Sequence, residues 1–289
     1  MVELATEAPS SGALLPIKDT VITTVFLLAL VALAWYVLKA IARRSDPASP
    51  SGSLRLFDRL DPQVQAMRAW MASAPVTFVY IATWTITSVL VQGSSQALTE
   101  MFAQSASTNI YGILTQPLRV LFSSAFLVAD NGFFFVGYIV VYVLISARLE
   151  QRIGSARWVV VAVVAHVVGS LFTVVLETVL IAQDVLPRAT AVTTDVGVSY
   201  VMVGTCGGYL LFVSRRWRWW YYAGLFAGVG LPVIVIHDIW SLGHLNATLL
   251  GLATTAVVRR WGVRPPLLWR QLVARSQPRQ LPTWRSAVT

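Results

Sequence analysis

Seven times in this chain about 20 mostly apolar residues run together, the length an α-helix needs to cross the hydrocarbon layer of a bilayer. The stretches are Thr20 to Leu38, Ala74 to Val91, Val120 to Ala147, Trp158 to Glu177, Val196 to Ser214, Trp219 to Ile236, and Ile239 to Val258. None alternates apolar and polar residues as a membrane β-strand does. Charged residues make up 12% of the chain and hydrophobic ones 56%, more apolar surface than a soluble domain can hide. The expected class is an all-α polytopic membrane protein.

The basic residues orient it. With successive loops on alternate sides, 19 of the 22 Lys and Arg fall on one side, from Lys39, Arg43 and Arg44 to the Arg-rich tail after Val258. Only Lys18, Arg119 and Arg188, the remaining 3, fall on the other. Basic loops stay cytoplasmic, which predicts the N-terminus outside and the C-terminus inside. The net charge of +9 is then mostly a topology signal, so membrane lipids are expected partners and nucleic acid is not. The tail before the first span is acidic (Glu3, Glu7) and the basic cluster follows it, which suits a retained helix rather than a cleaved signal. The 20 Arg against 2 Lys suggest a GC-rich bacterial genome and hence a plasma membrane.

Four parts are expected: a tail and first helix (1–44), a cytoplasmic linker (45–73), a membrane core (74–258) and a basic tail (259–289). Within the linker, Ser45 to Ser53 is rich in Ser and Pro. Leu54 to Ala72 reads either as a helix lying on the inner surface or as a loose loop. Gln92 to Gln116 reads as a long outer loop, and the third span, which contains Asp130, is the least regular. The single cysteine, Cys206, excludes an intramolecular disulfide.

Polar groups within spans are costly, so each asks for a reason. Asp130, His166, Glu177, Asp195, Ser199, His237, Asp238 and His244 are the candidates. Ser199 stands three residues into the fifth span and His244 five into the seventh. Both spans run inward, so the two side chains lie at matching depth, roughly 5–10 Å below the outer helix ends. A serine beside an imidazole is a nucleophile beside its base. Gly197, Gly204, Gly207 and Gly208 on one span, and Gly243, Ala247 and Gly251 on the other, favour close contact. Taken singly, Ser199 reads as packing between helices and His244 as a structural hydrogen-bonding group. His166 reads as a satisfied core histidine. Glu177, Asp195, His237 and Asp238 read as solvated charges at the outer helix ends, with Asp195 one turn before Ser199 as a candidate to tune the site. Asp130 reads as lining a water-filled cavity, and no Cys/His cluster has metal-ligand spacing.

The run Gly197-Val198-Ser199-Tyr200-Val201-Met202-Val203-Gly204-Thr205-Cys206-Gly207-Gly208-Tyr209 resembles the serine helix of the rhomboid intramembrane proteases. Gly243-His244-Leu245-Asn246-Ala247, continuing to Gly251, resembles that family's histidine helix. Phe122-Ser123-Ser124-Ala125-Phe126-Leu127 resembles the start of the helix two before the serine helix. Leu149-Glu150-Gln151-Arg152-Ile153-Gly154-Ser155 resembles the loop after that helix. The likeness runs from Ala74 to Val258 and implies a six-helix bundle, with the first span as an extra N-terminal helix. It implies a Ser199–His244 dyad with Gly197 beside it, no cofactor, and transmembrane segments of other proteins as partners. Three departures stand out. Tyr200 follows the serine where the family has Gly, while Val128 and Gly137 occupy the positions of a His and an Asn that hold the oxyanion. Phe133 stands at a second His position, and Asn131, beside Asp130, is the candidate replacement donor. Two functions follow: an intramembrane serine protease, or an inactive relative that binds membrane segments without cutting them. A transporter using Asp130, Glu177 and the histidines as an ion path is a third, disfavoured because its acidic residues gather on the outer side.

Overall fold

The computed structural model describes residues 15–45, 52–128 and 133–260. Asp130, Asn131, the centre of the Ser/Pro-rich linker and the Arg-rich tail after Arg260 lie outside the described residues. Among the described residues every regular element is a helix, as lipid requires of a chain that must satisfy its backbone locally.

In chain order the helices are α1 (Leu15–Ser45), α2 (Gly52–Ser73), α3 (Pro75–Gln92), α4 (Gln96–Ser105), α5 (Ile110–Thr115) and α6 (Pro117–Ser124). Then come α7 (Phe133–Val141), continued by a π-turn (Tyr142–Ser146) into α8 (Ala147–Ile153), and α9 (Ser155–Ala182). The last four are α10 (Val198–Tyr209), α11 (Arg218–Leu225), α12 (Leu231–Val235) and α13 (Ile239–Val258), with a second π-turn at Phe226–Gly230 joining α11 to α12.

By length and apolar composition, two described helices reach a full span on their own, α9 and α13. Residues Phe57–Ser73 and Pro75–Val91 pass the same test only together, and they bend by 94°. The stretch left open between a surface helix and a loose loop is therefore helical, and α2 lies across the direction of α3. Pro75 explains the break, since its ring ends one helix and starts the next. α1 rests on α2 through Lys39 paired with Asp61, Arg68 over the Tyr36 ring, and Trp35 edge-on to Phe57.

Two expectations are corrected. The third span is not one helix from Val120: α6 stops at Ser124, and a new helix is running at Phe133. Asp130, Asn131 and Gly132 between them are poor helix formers, which is the sequence reason. The stretch 92–116, expected as a long loop, is largely helical, as α4 and α5. The segment resembling a loop, Leu149–Ser155, is the end of α8 and the start of α9, turning at Gly154 with φ of 86°. There the buried Glu150 carboxylate accepts from Val76 N–H (3.1 Å), Thr77 N–H (2.7 Å) and the Ser155 hydroxyl (2.6 Å). One side chain thereby pins the first turns of α3 and α9 to α8.

The centre is a three-helix contact of α9, α10 and α13. Lipid tails provide no hydrophobic drive between helices, so backbones must approach closely for dispersion to hold them. They do. A Cβ on Gly251 would lie 1.9 Å from the Gly204 carbonyl oxygen, and one on Gly207 would lie 2.0 Å from that of Thr248. Replacing Gly251 with Ala should cost about 1–3 kcal/mol through overpacking. The expected readout is a lower unfolding midpoint in detergent. Gly224→Ala, where an added Cβ meets nothing within 4 Å, should leave that midpoint unchanged or slightly raised.

Candidate functional site

Ser199 is the second residue of α10 and His244 the sixth of α13. The central packing brings the Ser199 Oγ within 2.8 Å of the His244 Nε2, with both residues half-buried. With the imidazole proton on Nδ1, the hydroxyl donates to Nε2, the arrangement of a nucleophile and its base. The pair stands in the wall of a cleft of about 330 Å³ lined also by Leu127, Val128, Tyr138 and Trp240. Thr193, Thr194 and Asp195 complete its polar side.

The start of α10 is held from three directions. Tyr142 donates its hydroxyl to the Val198 carbonyl at 2.7 Å. Tyr142 in turn sits in an aromatic cluster with Tyr80 and Trp84. Gly197 donates its N–H to the Ser124 carbonyl at 2.9 Å. A Cβ on Gly197 would lie 2.0 Å from the His166 ring, so the glycine is there to admit that imidazole. His166 is a core residue, as expected, donating from Nε2 to the Leu121 carbonyl at 2.8 Å, but its Nδ1 has no partner. Asp238 caps α13 by accepting from the Ser241 N–H at 2.6 Å, and His237 beside it turns the chain with φ of 58°.

No side chain caps the first turn of α10. The N–H groups of Val198, Ser199 and Tyr200 precede that of Val201, the first to donate within the helix, to the Gly197 carbonyl, so they present a positive helix end at the serine.

Tyr200 does not line the cleft. Its ring is fully buried between α9 and α13, against Gly169 and Gly243. Its hydroxyl donates to Asp195 Oδ2 at 3.1 Å and lies 3.1 Å from Thr173 Oγ1. Asp195 Oδ2 also accepts from Thr108 Oγ1 at 3.1 Å. The backbone adds a two-way tie, Thr108 N–H to the Asp195 carbonyl and Asp195 N–H to Ser107 Oγ, both 2.9 Å. Two of the four charges read as solvated are thus not so: Glu177 is buried and Asp195 is half-buried and hydrogen-bonded. Val128 is buried at the cleft, with a methyl-bearing side chain where a donor was expected, and Gly137 lies in α7. Thr108, Thr173 and Trp240 gave no signal in the sequence, because nothing local marks a threonine or a tryptophan that will meet a partner far along the chain.

Asp195 precedes the fifth span. Burial raises its carboxyl from 3.8 to about 6, against the lowering effect of hydrogen bonds from Thr108, Tyr200 and the Val196 N–H. The folded chain then holds this proton more tightly than the unfolded chain, so this contribution to stability is full below about pH 4 and is lost as pH rises to about 6. Unfolding midpoints in detergent, compared between the parent and Asp195→Asn, should show the parent's relative advantage shrinking over that window and level above it.

A family model described as "Rhomboid-like protein" matches residues 69–263, more than half of the chain. No curated protein and no solved structure matches it.

Proposed function

This chain belongs to the rhomboid-like family, and we propose that it is an intramembrane serine protease using a Ser199–His244 dyad. The observation that carries the reading is the 2.8 Å contact between Ser199 Oγ and His244 Nε2 at the wall of an open cleft. Ser199 Oγ attacks the carbonyl carbon of a substrate's membrane segment while His244 Nε2 takes the hydroxyl proton. The oxyanion that forms is met by the uncapped N–H groups at the start of α10, where fixed dipoles stabilise developing charge. His244 then returns the proton to the leaving amine, and water admitted by the polar side of the cleft hydrolyses the acyl-enzyme. Thr193, Thr194 and Tyr138, which line the cleft, are hydroxyl-bearing residues, which supports oxyanion binding without the side chains that Val128 and Gly137 replace. Asp130 and Asn131 are retained as accessory candidates, with Asn131 as a donor, and Gly197 as the residue that lets the serine turn seat on His166.

The reading includes seven spans, an outer N-terminus and an inner C-terminus, with an extra helix α1 on a six-helix core at 74–258. The charge distribution supports it, as does the right-angled α2–α3 pair, which suits a helix lying on the inner surface before a spanning one. Reporter fusions after Leu38, Gln116 and Val258 should report inside, outside and inside. The same side for the last two would overturn the orientation. The bacterial plasma membrane is the proposed location, and membrane segments of other proteins the proposed substrates.

One observation favours the inactive alternative, a protein that holds membrane segments without cleaving them: buried Val128 lines the cleft where the family has a histidine. Labelling by a serine-directed fluorophosphonate decides between them. The purified, folded parent should label, and Ser199→Ala and His244→Ala should each label at least about 100-fold more slowly. A folded parent that does not label would support the inactive binder.

A further inference from the structure

The residue after the serine departs from the family pattern, and the structure gives that departure a use. Tyr200 reaches from the outer stretch to the imidazole. Its ring lies 5.1 Å from the His244 ring, tilted by 54°, while its hydroxyl is fixed by Asp195 and Thr173. The seat for the ring is made by two absent side chains. A Cβ on Gly169 would lie 3.0 Å from Tyr200 Cδ1, and one on Gly243 would lie 2.7 Å from the Tyr200 hydroxyl. Gly243 immediately precedes His244, so the tyrosine packs against the same turn that carries the imidazole. Asp195 is itself locked to Ser107 and Thr108, on the far side of the outer stretch. The order of contact is therefore Thr108, Asp195, Tyr200, His244, Ser199.

We infer that Tyr200 is a positioning residue for His244, and that its hydrogen bond to Asp195 ties the angle of the imidazole to the outer stretch at Ser107–Thr108. The inference rests on reading Ser199 and His244 as nucleophile and base. A rigid ring packed at a tilt beside the imidazole, held at its far end by a carboxylate, limits rotation about the His244 side-chain bonds. That keeps Nε2 on the Ser199 hydroxyl. Loss of the ring frees the imidazole. Loss of the hydroxyl alone leaves the ring seated on its glycines and releases only the tether.

The test has one readout that needs no activity and one that does. The chain has 3 histidines, so selective ¹³C-histidine labelling of the full-length protein in detergent gives three imidazole signals, with that of His244 assigned by its loss in His244→Ala. Tyr200→Leu should move the His244 signal by removing the ring, while Tyr200→Phe should hold it near the parent position. In fluorophosphonate labelling, Tyr200→Leu should slow the rate by about 100-fold, the cost of a misplaced base, and Tyr200→Phe by about tenfold or less. Asp195→Ala should slow it at least as much as Tyr200→Phe, and the Tyr200→Phe/Asp195→Ala double variant should be no slower than Asp195→Ala alone, because both remove the Tyr200–Asp195 bond. Additive effects in the double variant, or a His244 signal indifferent to Tyr200→Leu, would overturn the inference while leaving the dyad in place. A parent that fails to label while its His244 signal still responds to Tyr200→Leu would support the positioning and overturn the protease reading. If the Leu variant does not fold, the cycle between Tyr200→Phe and Asp195→Ala decides alone.

Discussion

Backbone contact between α10 and α13 is the constraint on which the site depends. In a bilayer, apolar side chains gain nothing by leaving lipid for a neighbouring helix, so two helices stay together only where their surfaces fit closely. Here the fit is at its limit: the space a methyl group on Gly251 would need is already filled by the Gly204 carbonyl. The register that sets this contact also sets Ser199, in the first turn of α10, level with His244, in the second turn of α13. The dyad is thus a by-product of glycine spacing. Moving either helix by a turn would separate the two groups by about 5.4 Å.

Around that contact, the polar residues act as ties between segments and not as isolated charges. Glu150 gathers the first turns of α3 and α9 at one end of the bundle. At the other end, Asp195 gathers Ser107, Thr108 and Tyr200 beside the serine. A carboxylate that accepts several hydrogen bonds within low-dielectric surroundings fixes more geometry than an apolar contact of the same size, because leaving any partner unsatisfied is costly. This explains how Tyr200 fits where the family has glycine. The phenol is drawn away from the cleft by partners on α9 and in the outer stretch, so the cleft stays open beside Ser199.

Several features were legible in the order of residues. The pairing of Ser199 with His244 followed from equal depth and small flanking residues. The close approach of α10 and α13 followed from Gly204, Gly207 and Gly251. Other features were not. The third span reads as continuous and only as the least regular, so the end of α6 at Ser124 was not foreseen. Glu177 looked like a solvated end charge and is buried, because the sequence does not say which face of α9 meets a neighbour. Asp195 was singled out for its closeness to Ser199, but its partner Thr108 lies 87 positions away. Tyr200 looked like an obstruction, since the glycines that seat it, Gly169 and Gly243, belong to two other helices.

By itself the sequence determined that this is a helical membrane protein, and that a hydroxyl and an imidazole enter from the same side. Lipid leaves no partner for an unpaired backbone group, so apolar stretches form helices, and local composition is enough to show that class, though not where every helix begins and ends. Tertiary structure alone decided which way these side chains face: Tyr200 toward Asp195, Glu177 inward, Val128 at the cleft. Those choices depend on the rotation of each helix about its axis. That rotation is set by contacts among α9, α10 and α13 that no one segment encodes.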